Sequence, residues 1–587
     1  MKSRTYGWVQ NPSDFNKLKL TVQIFDSSSN HYQSLKNDLV PNLIVYFNDI
    51  KDDLQYKLDN SITKFTYMDL VGTSKDKTGK SPKSRKNAEA NALIQISLLP
   101  QNYKTTGKRF TDNWTSDGYL RWAVSLNFIQ VDRETDTFTI TELGLQFSRT
   151  KNESTEETSI LQQVLLSYPP ATRVLSILDK TDNFHNKYYI GDKLGFRGER
   201  GFTSYNEKIM TDWLSSSVNM KEFKKIKSDV EGTSDKYARM ISGWLKKVGF
   251  VDNRGTSIRV NALGKNMSGF QEYRINGRGK FALRNAHREG SSKNLPIQKF
   301  IMWEFLATDE SNRDYVRTRR SYILKILQRT SSFTDLLTEL SKLGFDDDAA
   351  IIDNDINGLI QFGIRIDKSK DKVILKDIFN DFVIPDINVT QILKDQSKDK
   401  LKVEFLHKTN LPNKFIELLD IAFDPKRNRD FEIITAELFL TYYGLNSKHL
   451  GGARKPDGLA YTDKFGLMLD TKAYGNGYPK NIGEADKMIR YIEDNKKRDI
   501  QRNPNEWWEE FDTNIPNNQY YFIWISGRFI NRFDEQLEYT ASQTKVNGGS
   551  LNVEQLLLGA DAVHKGVIDK NDIPKFINNK EIIFVEE

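Results

Sequence analysis

The 587-residue sequence contains no cysteine. That absence excludes disulfides, thiolate zinc sites and cysteine nucleophiles, and it suits a reducing cytosol. No apolar run approaches the ~20 residues that a membrane helix needs, so no membrane partner is expected. The opening MKSRTYGWVQ has no apolar stretch of the kind found in a secretory signal. No glycine-rich cofactor loop is present either.

What is there fits soluble globular domains: 38% hydrophobic and 28% charged residues. A chain this long exceeds one compact core, and roughly three to five domains are expected. The net charge of +7 is unevenly spread. Residues 391–587 hold 28 Lys and Arg against 31 Asp and Glu, leaving 58 against 48 for residues 1–390. The basic excess therefore lies wholly in the first two thirds. It implies either solubility or a portion that binds a polyanion, followed by a portion with another task.

One pattern occurs three times. Residues 115–143 read TSDGYLRWAVSLNFIQVDRETDTFTITEL. Tyr119, Trp122, Ala123 and Leu126 line one helical face, and Asn127 is a plausible stop. FIQV and TFTIT then flank a polar turn, which predicts a hairpin. Residues 233–263 repeat the order, with a stop at Gly249 and a turn expected over DNRGTS. Residues 352–376 hold a fainter third copy. A helix followed by a small β-wing is the winged-helix form of helix-turn-helix, used for DNA and also for protein contacts. The first two copies share TSD-x-Y-x-R and point to DNA. The third lacks that start and reads as structural or protein-binding. Polar breaks fall at 150–158 and 284–296, and a charged linker or helical tether at 391–403. Beyond it, mixed helices and strands predict an α/β unit with a central sheet.

Asp457 opens a short strand in PDGLAYT, and Asp470 follows thirteen residues later in GLMLDTK. A hairpin of that length can set the two carboxylates side by side. Asp470 and Lys472, two apart on a strand, project to the same face. Two carboxylates attract a hard cation such as Mg²⁺, and a lysine can orient or deprotonate water and stabilise developing charge. The set suits phosphodiester hydrolysis. The pattern alone also matches two surface acids beside a solvated lysine. Glu437, on the preceding amphipathic helix, is a candidate helper that would otherwise be solvated.

PD at 456–457 with DTK at 470–472 resembles the PD-(D/E)XK nuclease motif. KHLGGARKPDGLAYT, IGEADKMIRYIEDN, NPNEWW, GWVQNP, DNWTSDGYLRW, SYPPA, GTSDKYARMISGWL and DYVRTRR resemble the FokI-like type IIS restriction endonucleases over nearly the whole chain. The resemblance implies a multidomain protein with three winged-helix-like (α+β) recognition subdomains at 1–160, 161–288 and 289–388. It implies a linker at 389–403 and an α/β PD-(D/E)XK nuclease domain with a mixed central sheet at 404–587. The third subdomain would mainly contact protein. It further implies Mg²⁺-dependent hydrolysis of both DNA strands at a fixed distance from a short asymmetric site, GGATG as first guess, leaving 5′-phosphate ends.

By matching positions, Asp457 and Asp470 would bind metal and Lys472 would complete the catalytic set. Asp486 and Arg490 match the pair through which a second copy docks; their spacing also suits an intrahelical ion pair. Gln10 and Asn11 match an N-terminal arm that reads DNA. Arg85, Gln95, Trp114 and Ser116 match base-reading positions in the first subdomain, and Glu231, Lys236 and Arg239 in the second. Ser228 stands where the pattern has asparagine, and residues 85–95 depart from it, which bears on the sequence read. SYPPA at 167–171 lacks the Asn or Asp of an adenine methylation motif, so a protective methyltransferase would be a separate protein in a bacterial cytoplasm. Two other readings remain at this stage. One is a winged-helix regulator with an inactive nuclease-like domain; the other is a structure-specific repair nuclease.

Overall fold

The helix predicted from TSDGYLRWAVS spans Asn113–Ser125 (α1), and the Asp112 side chain caps it by accepting the Thr115 N–H at 2.8 Å. Its apolar stripe, Tyr119, Trp122, Ala123 and Leu126, is buried as the spacing requires. The chain leaves through Asn127 at φ 59° and forms the hairpin β1 (Ile129–Asp132) and β2 (Thr137–Ile140). This computed structural model describes residues 4–43, 48–75, 78–81, 89–288, 296–308, 312–387 and 396–586.

In the second unit, α2 (Glu207–Ser215) precedes α3 (Thr233–Lys247), the second copy of the repeat. Gly249 at φ 79° turns the chain into β3 (Val251–Val260), which pairs with β4 (Lys265–Ile275). Here the wing differs from the expectation. DNRGTS is not a turn but lies inside β3, and the ribbon turns instead at residues 261–264, closed by Gly264 at φ 59°. Its polar residues mislead because one face of the wing is solvated, while Ile258, Val260, Met267 and Phe270 pack against the apolar cluster around Trp213. The third copy folds as α4 (Ala349–Phe362) with the hairpin β5 (Ile366–Ser369) and β6 (Lys372–Leu375).

Residues 389–395 of the expected linker lie outside the described residues. From Gln396 the chain is helical through Lys408 (α5), and Phe405 enters the core of the C-terminal unit. That unit contains α6 (Asn428–Thr441), β7 (Asn446–His449), β8 (Gly458–Tyr461), β9 (Gly466–Lys472), α7 (Ile482–Lys497) and β10 (Tyr520–Ser526). After β10 come α8 (Asp534–Thr544), β11 (Gly548–Asn552), α9 (Val553–His564) and β12 (Lys580–Glu581). The sheet order is β12-β11-β10-β9-β8-β7. Strands β7 to β9 pair antiparallel and β9 to β12 parallel, which makes the sheet mixed. Leu467 and Leu469 pack into one core with residues of α6 and α9, while Met468 and Trp524 pack into the other with residues of α7 and α8. Burial on both faces explains why β9 reads as an unbroken apolar run.

The C-terminal unit rests on the second unit. Trp213, Ile209 and Leu214 of α2 form one apolar cluster with Ile433 and Ala436 of α6. Around it, Tyr205 donates to Asp430 at 2.7 Å, Lys414 pairs with Asp192 at 3.0 Å and Lys455 with Glu222 at 3.3 Å.

Candidate active site and nucleic-acid interface

The β8–β9 register pairs Gly458 with Leu469, so Asp457 and Asp470 stand opposite each other one step further on. Asp457 Oδ2 accepts the Thr471 N–H at 2.9 Å, which locks that carboxylate against the neighbouring strand. The Lys472 ammonium donates to Asp470 Oδ1 at 2.9 Å and lies 3.4 Å from Asp457 Oδ2. The three residues therefore converge as the alternation of a strand predicts. Asp470 and Lys472 continue the row of Met468, the row that faces α7.

Burial sets the electrostatics. It pushes the Asp470 carboxyl up, and the Asp457 charge beside it pushes further. For Lys472 burial acts to lower, but Asp470 and then Asp457 outweigh it and hold the ammonium well above the usual lysine range. Two further carboxylates reach the cluster. Glu432 of α6 is raised by burial and next by Asp457, and its Oε1 accepts from Asn428 at 2.5 Å. Glu484 of α7 puts Oε2 3.7 Å from the Lys472 ammonium.

The donors fit a divalent cation. Asp470 Oδ2 is buried and has no hydrogen-bond partner among the described residues, and Asp457 faces it across the strand pair. Among the described residues no group of three or more His, Asp or Glu forms a ready metal cage. Two carboxylates suit an ion that keeps water and phosphate oxygens as its other ligands, as Mg²⁺ does.

Glu437 does not belong to this cluster. It is buried and pairs with Lys414 at 2.5 Å, on the side of Asp192. Five residues rotate a helix by about 140° beyond a full turn, so Glu432 and Glu437 occupy different faces of α6. Periodicity could have favoured Glu432; Glu484 resembles an ordinary first-turn acid and gives no such signal.

Asp486 and Arg490 are both exposed on α7, and among the described residues neither forms an ion pair. The intrahelical pair that their spacing allows is not made.

The residues expected at DNA are placed unequally. Gln10 is half-buried and donates to Tyr237 Oη at 3.4 Å; Asn11 beside it is exposed. Trp114 on α1 is 44% exposed. Glu231 accepts from Lys187 at 2.7 Å and from Arg239 Nε at 2.9 Å, which aims the exposed Arg239 side chain; Lys236 is half-buried on the same helix. Ser116 and Gln95 differ from the expectation. Both are fully buried: the Ser116 hydroxyl donates to the Asp112 carbonyl at 3.0 Å, and Gln95 Oε1 accepts the Asn91 N–H at 2.6 Å. Both brace the first unit from within, although the buried Gln95 Nε2 has no hydrogen-bond partner among the described residues. Arg85 lies outside the described residues.

Comparison with known proteins matches the chain along its length. Residues 4–150 match the FokI recognition domain, subdomain 1, and residues 157–287 its subdomain 2. Residues 306–371 match the FokI D3 domain and residues 393–583 the FokI cleavage domain. The type II restriction enzyme FokI of Planomicrobium okeanokoites is 39% identical over 593 residues, covering 99% of this chain and 100% of that protein. The type II restriction enzyme StsI of Streptococcus sanguinis is 29% identical over 612 residues, covering 100% and 97%. The solved structure of FokI superposes with a TM-score of 0.85, and that of FokI bound to DNA with 0.88. Each is 38% identical to this chain and covers 99% of it and 100% of the solved chain. The chain belongs to the FokI family of type IIS restriction endonucleases.

Proposed function

We propose that the chain binds a short asymmetric double-stranded DNA sequence, GGATG-like, through its first two units. It then hydrolyses both strands at a fixed distance outside that site and leaves 5′-phosphate ends. The observation that carries this reading is the convergence of Asp457, Asp470 and Lys472 at the end of β8 and β9, in a unit apart from the helices proposed to read bases.

Asp457 and Asp470 would hold a divalent cation such as Mg²⁺, whose bound form supplies charge neutralisation at a phosphoryl oxygen and a more acidic water. The Lys472 ammonium, kept protonated by its two carboxylate neighbours, orients the attacking water by donating to it and offsets the charge that builds on the phosphate. Arg239 and Lys236 on α3, Trp114 on α1, and Gln10 and Asn11 on the arm are the candidates for base and phosphate contacts. One nuclease domain has one such cluster, so two cuts call for a second copy, seated through the unpaired Asp486 and Arg490. A separate methyltransferase would protect host DNA.

Run-off sequencing of a plasmid digested in Mg²⁺ tests the reading. Cuts at one offset from one sequence, on both strands, are the expected result. Specific binding without cutting would point to a regulator, and cuts without a fixed offset to a structure-specific nuclease.

A further inference from the structure

We infer that Glu484 positions Lys472 and ties that lysine to the helix on which a second copy of the chain docks. The inference rests on the proposed function and deepens it. Glu484 lies in the first turn of α7, where the Asn481 side chain accepts its N–H at 3.3 Å. Asp486 follows two residues later and Arg490 six residues later. Those two side chains are exposed, whereas Glu484 turns inward and its side chain is 16% exposed. Its Oε2 is buried, has no hydrogen-bond partner among the described residues, and lies 3.7 Å from the Lys472 ammonium. Its Oε1 accepts from Lys487.

Lys472 therefore faces three carboxylates, at 2.9 Å for Asp470, 3.4 Å for Asp457 and 3.7 Å for Glu484. The first two are the pair proposed to hold a cation. A carboxylate whose lone pairs turn to a cation gives up part of its hold on a neighbouring ammonium. Glu484 comes from another element and keeps its charge for Lys472 when that happens. Its separation is that of an ion pair without a hydrogen bond, so a small movement of the lysine can complete the contact.

The position of Glu484 on α7 supplies the link to docking. α7 is one continuous helix, anchored to the sheet core through Met488, Tyr491 and Ile492. A partner seated on Asp486 and Arg490 bears on the same helical segment that carries Glu484. A two-fold contact would do this equally in both copies. The lysine would then be held best when two copies are joined, which is when both strands can be cut.

Full-length wild type, Glu484→Gln and Glu484→Asp are compared on a cognate duplex in single-turnover cleavage at saturating protein and Mg²⁺. Rate against protein concentration reads docking, rate against Mg²⁺ reads the cation, and a metal-free gel shift reads site binding. Cutting by the wild type tests the proposed function, and the variants test this inference. Glu484→Gln should lower the saturated rate on the order of 10- to 100-fold, as loss of a supporting contact does. Glu484→Asp should recover most of it. Half-maximal Mg²⁺ and site binding should stay as in wild type, while half-maximal protein should rise, because a contact that docking strengthens strengthens docking in return. A metal-free crystal structure of Glu484→Gln should find the Lys472 ammonium moved from its present place. A wild-type rate in Glu484→Gln overturns the inference. So does a shift in half-maximal Mg²⁺, which would make Glu484 a cation ligand, or a shift in half-maximal protein with an unchanged plateau, which would make it an interface residue only.

Discussion

Asp470 concentrates the chemistry of the site. Its Oδ1 is taken by Lys472 while its buried Oδ2 has no partner among the described residues. Replacing it with alanine removes one proposed cation ligand and leaves Lys472 beside Asp457 and Glu484. Asp470→Ala should reduce plasmid cleavage by a factor on the order of 10²–10³ or more. Site binding in a gel shift should persist, because Asp470 lies apart from every residue proposed to contact bases. Loss of binding would sink the division into reader and cutter.

His449 makes a second prediction at this scale. It is fully buried, with its ring 4.2 Å from Trp213 and Nε2 3.9 Å from Glu432, and burial holds its pKa down to about 4. An unfolded histidine titrates near about 6.5, so the unfolded chain binds the extra proton between those values. The neutral ring is thus compatible with the fold above about 6.5, and the fold is penalised as pH falls toward 4. Wild type should lose stability relative to His449→Asn across that window, by a few kcal/mol. Thermal unfolding at pH 7 and pH 4.5 measures the difference; a constant gap would refute it.

Among elements, α7 serves both the sheet and the outside. Met488, Tyr491 and Ile492 bury one face while Asp486 and Arg490 stay exposed on another. Asp486→Ala should leave that core intact and weaken only the seating of a second copy. Cleavage by this variant should fall at limiting protein and recover at high protein, and in wild type it should rise more than linearly with concentration. A linear rise in wild type would exclude the dimeric cut. Elements also mark how much was legible in the chain. β9 could be read because Leu467, Met468 and Leu469 are buried on both sides. The turn of the long wing could not, because Ile258, Val260, Met267 and Phe270 pack against a cluster assembled from distant elements. The shared TSD-x-Y-x-R looked like a DNA signature, yet Ser116, Ser234, Tyr119 and Tyr237 are buried, so much of it encodes packing.

For the whole molecule, the docking of the C-terminal unit onto the second unit is the main addition. Trp213 closes that contact, against His449 on one side and the Ile433 cluster on the other. If the C-terminal unit cuts outside the recognised site as proposed, it would leave this seat to reach its DNA. Trp213→Ala should loosen it, raising the radius of gyration in small-angle scattering and the rate of cutting at stray positions. Specific affinity should change little. An unchanged radius together with unchanged fidelity would mean that other contacts hold the dock.

The sequence by itself determined the order of the units, the repeated helix-and-wing plan, and the trio Asp457, Asp470 and Lys472. The repeats follow from periodicity, which acts locally along the chain, while the trio and the order of the units became specific through the family resemblance of their motifs. Only the tertiary structure decided that Glu432 and Glu484, and not Glu437, face that trio, that Ser116 and Gln95 are interior, and that His449 meets Trp213. Those outcomes depend on which faces of distant elements meet. Residues 236 positions apart, such as Trp213 and His449, carry no local signal of their contact.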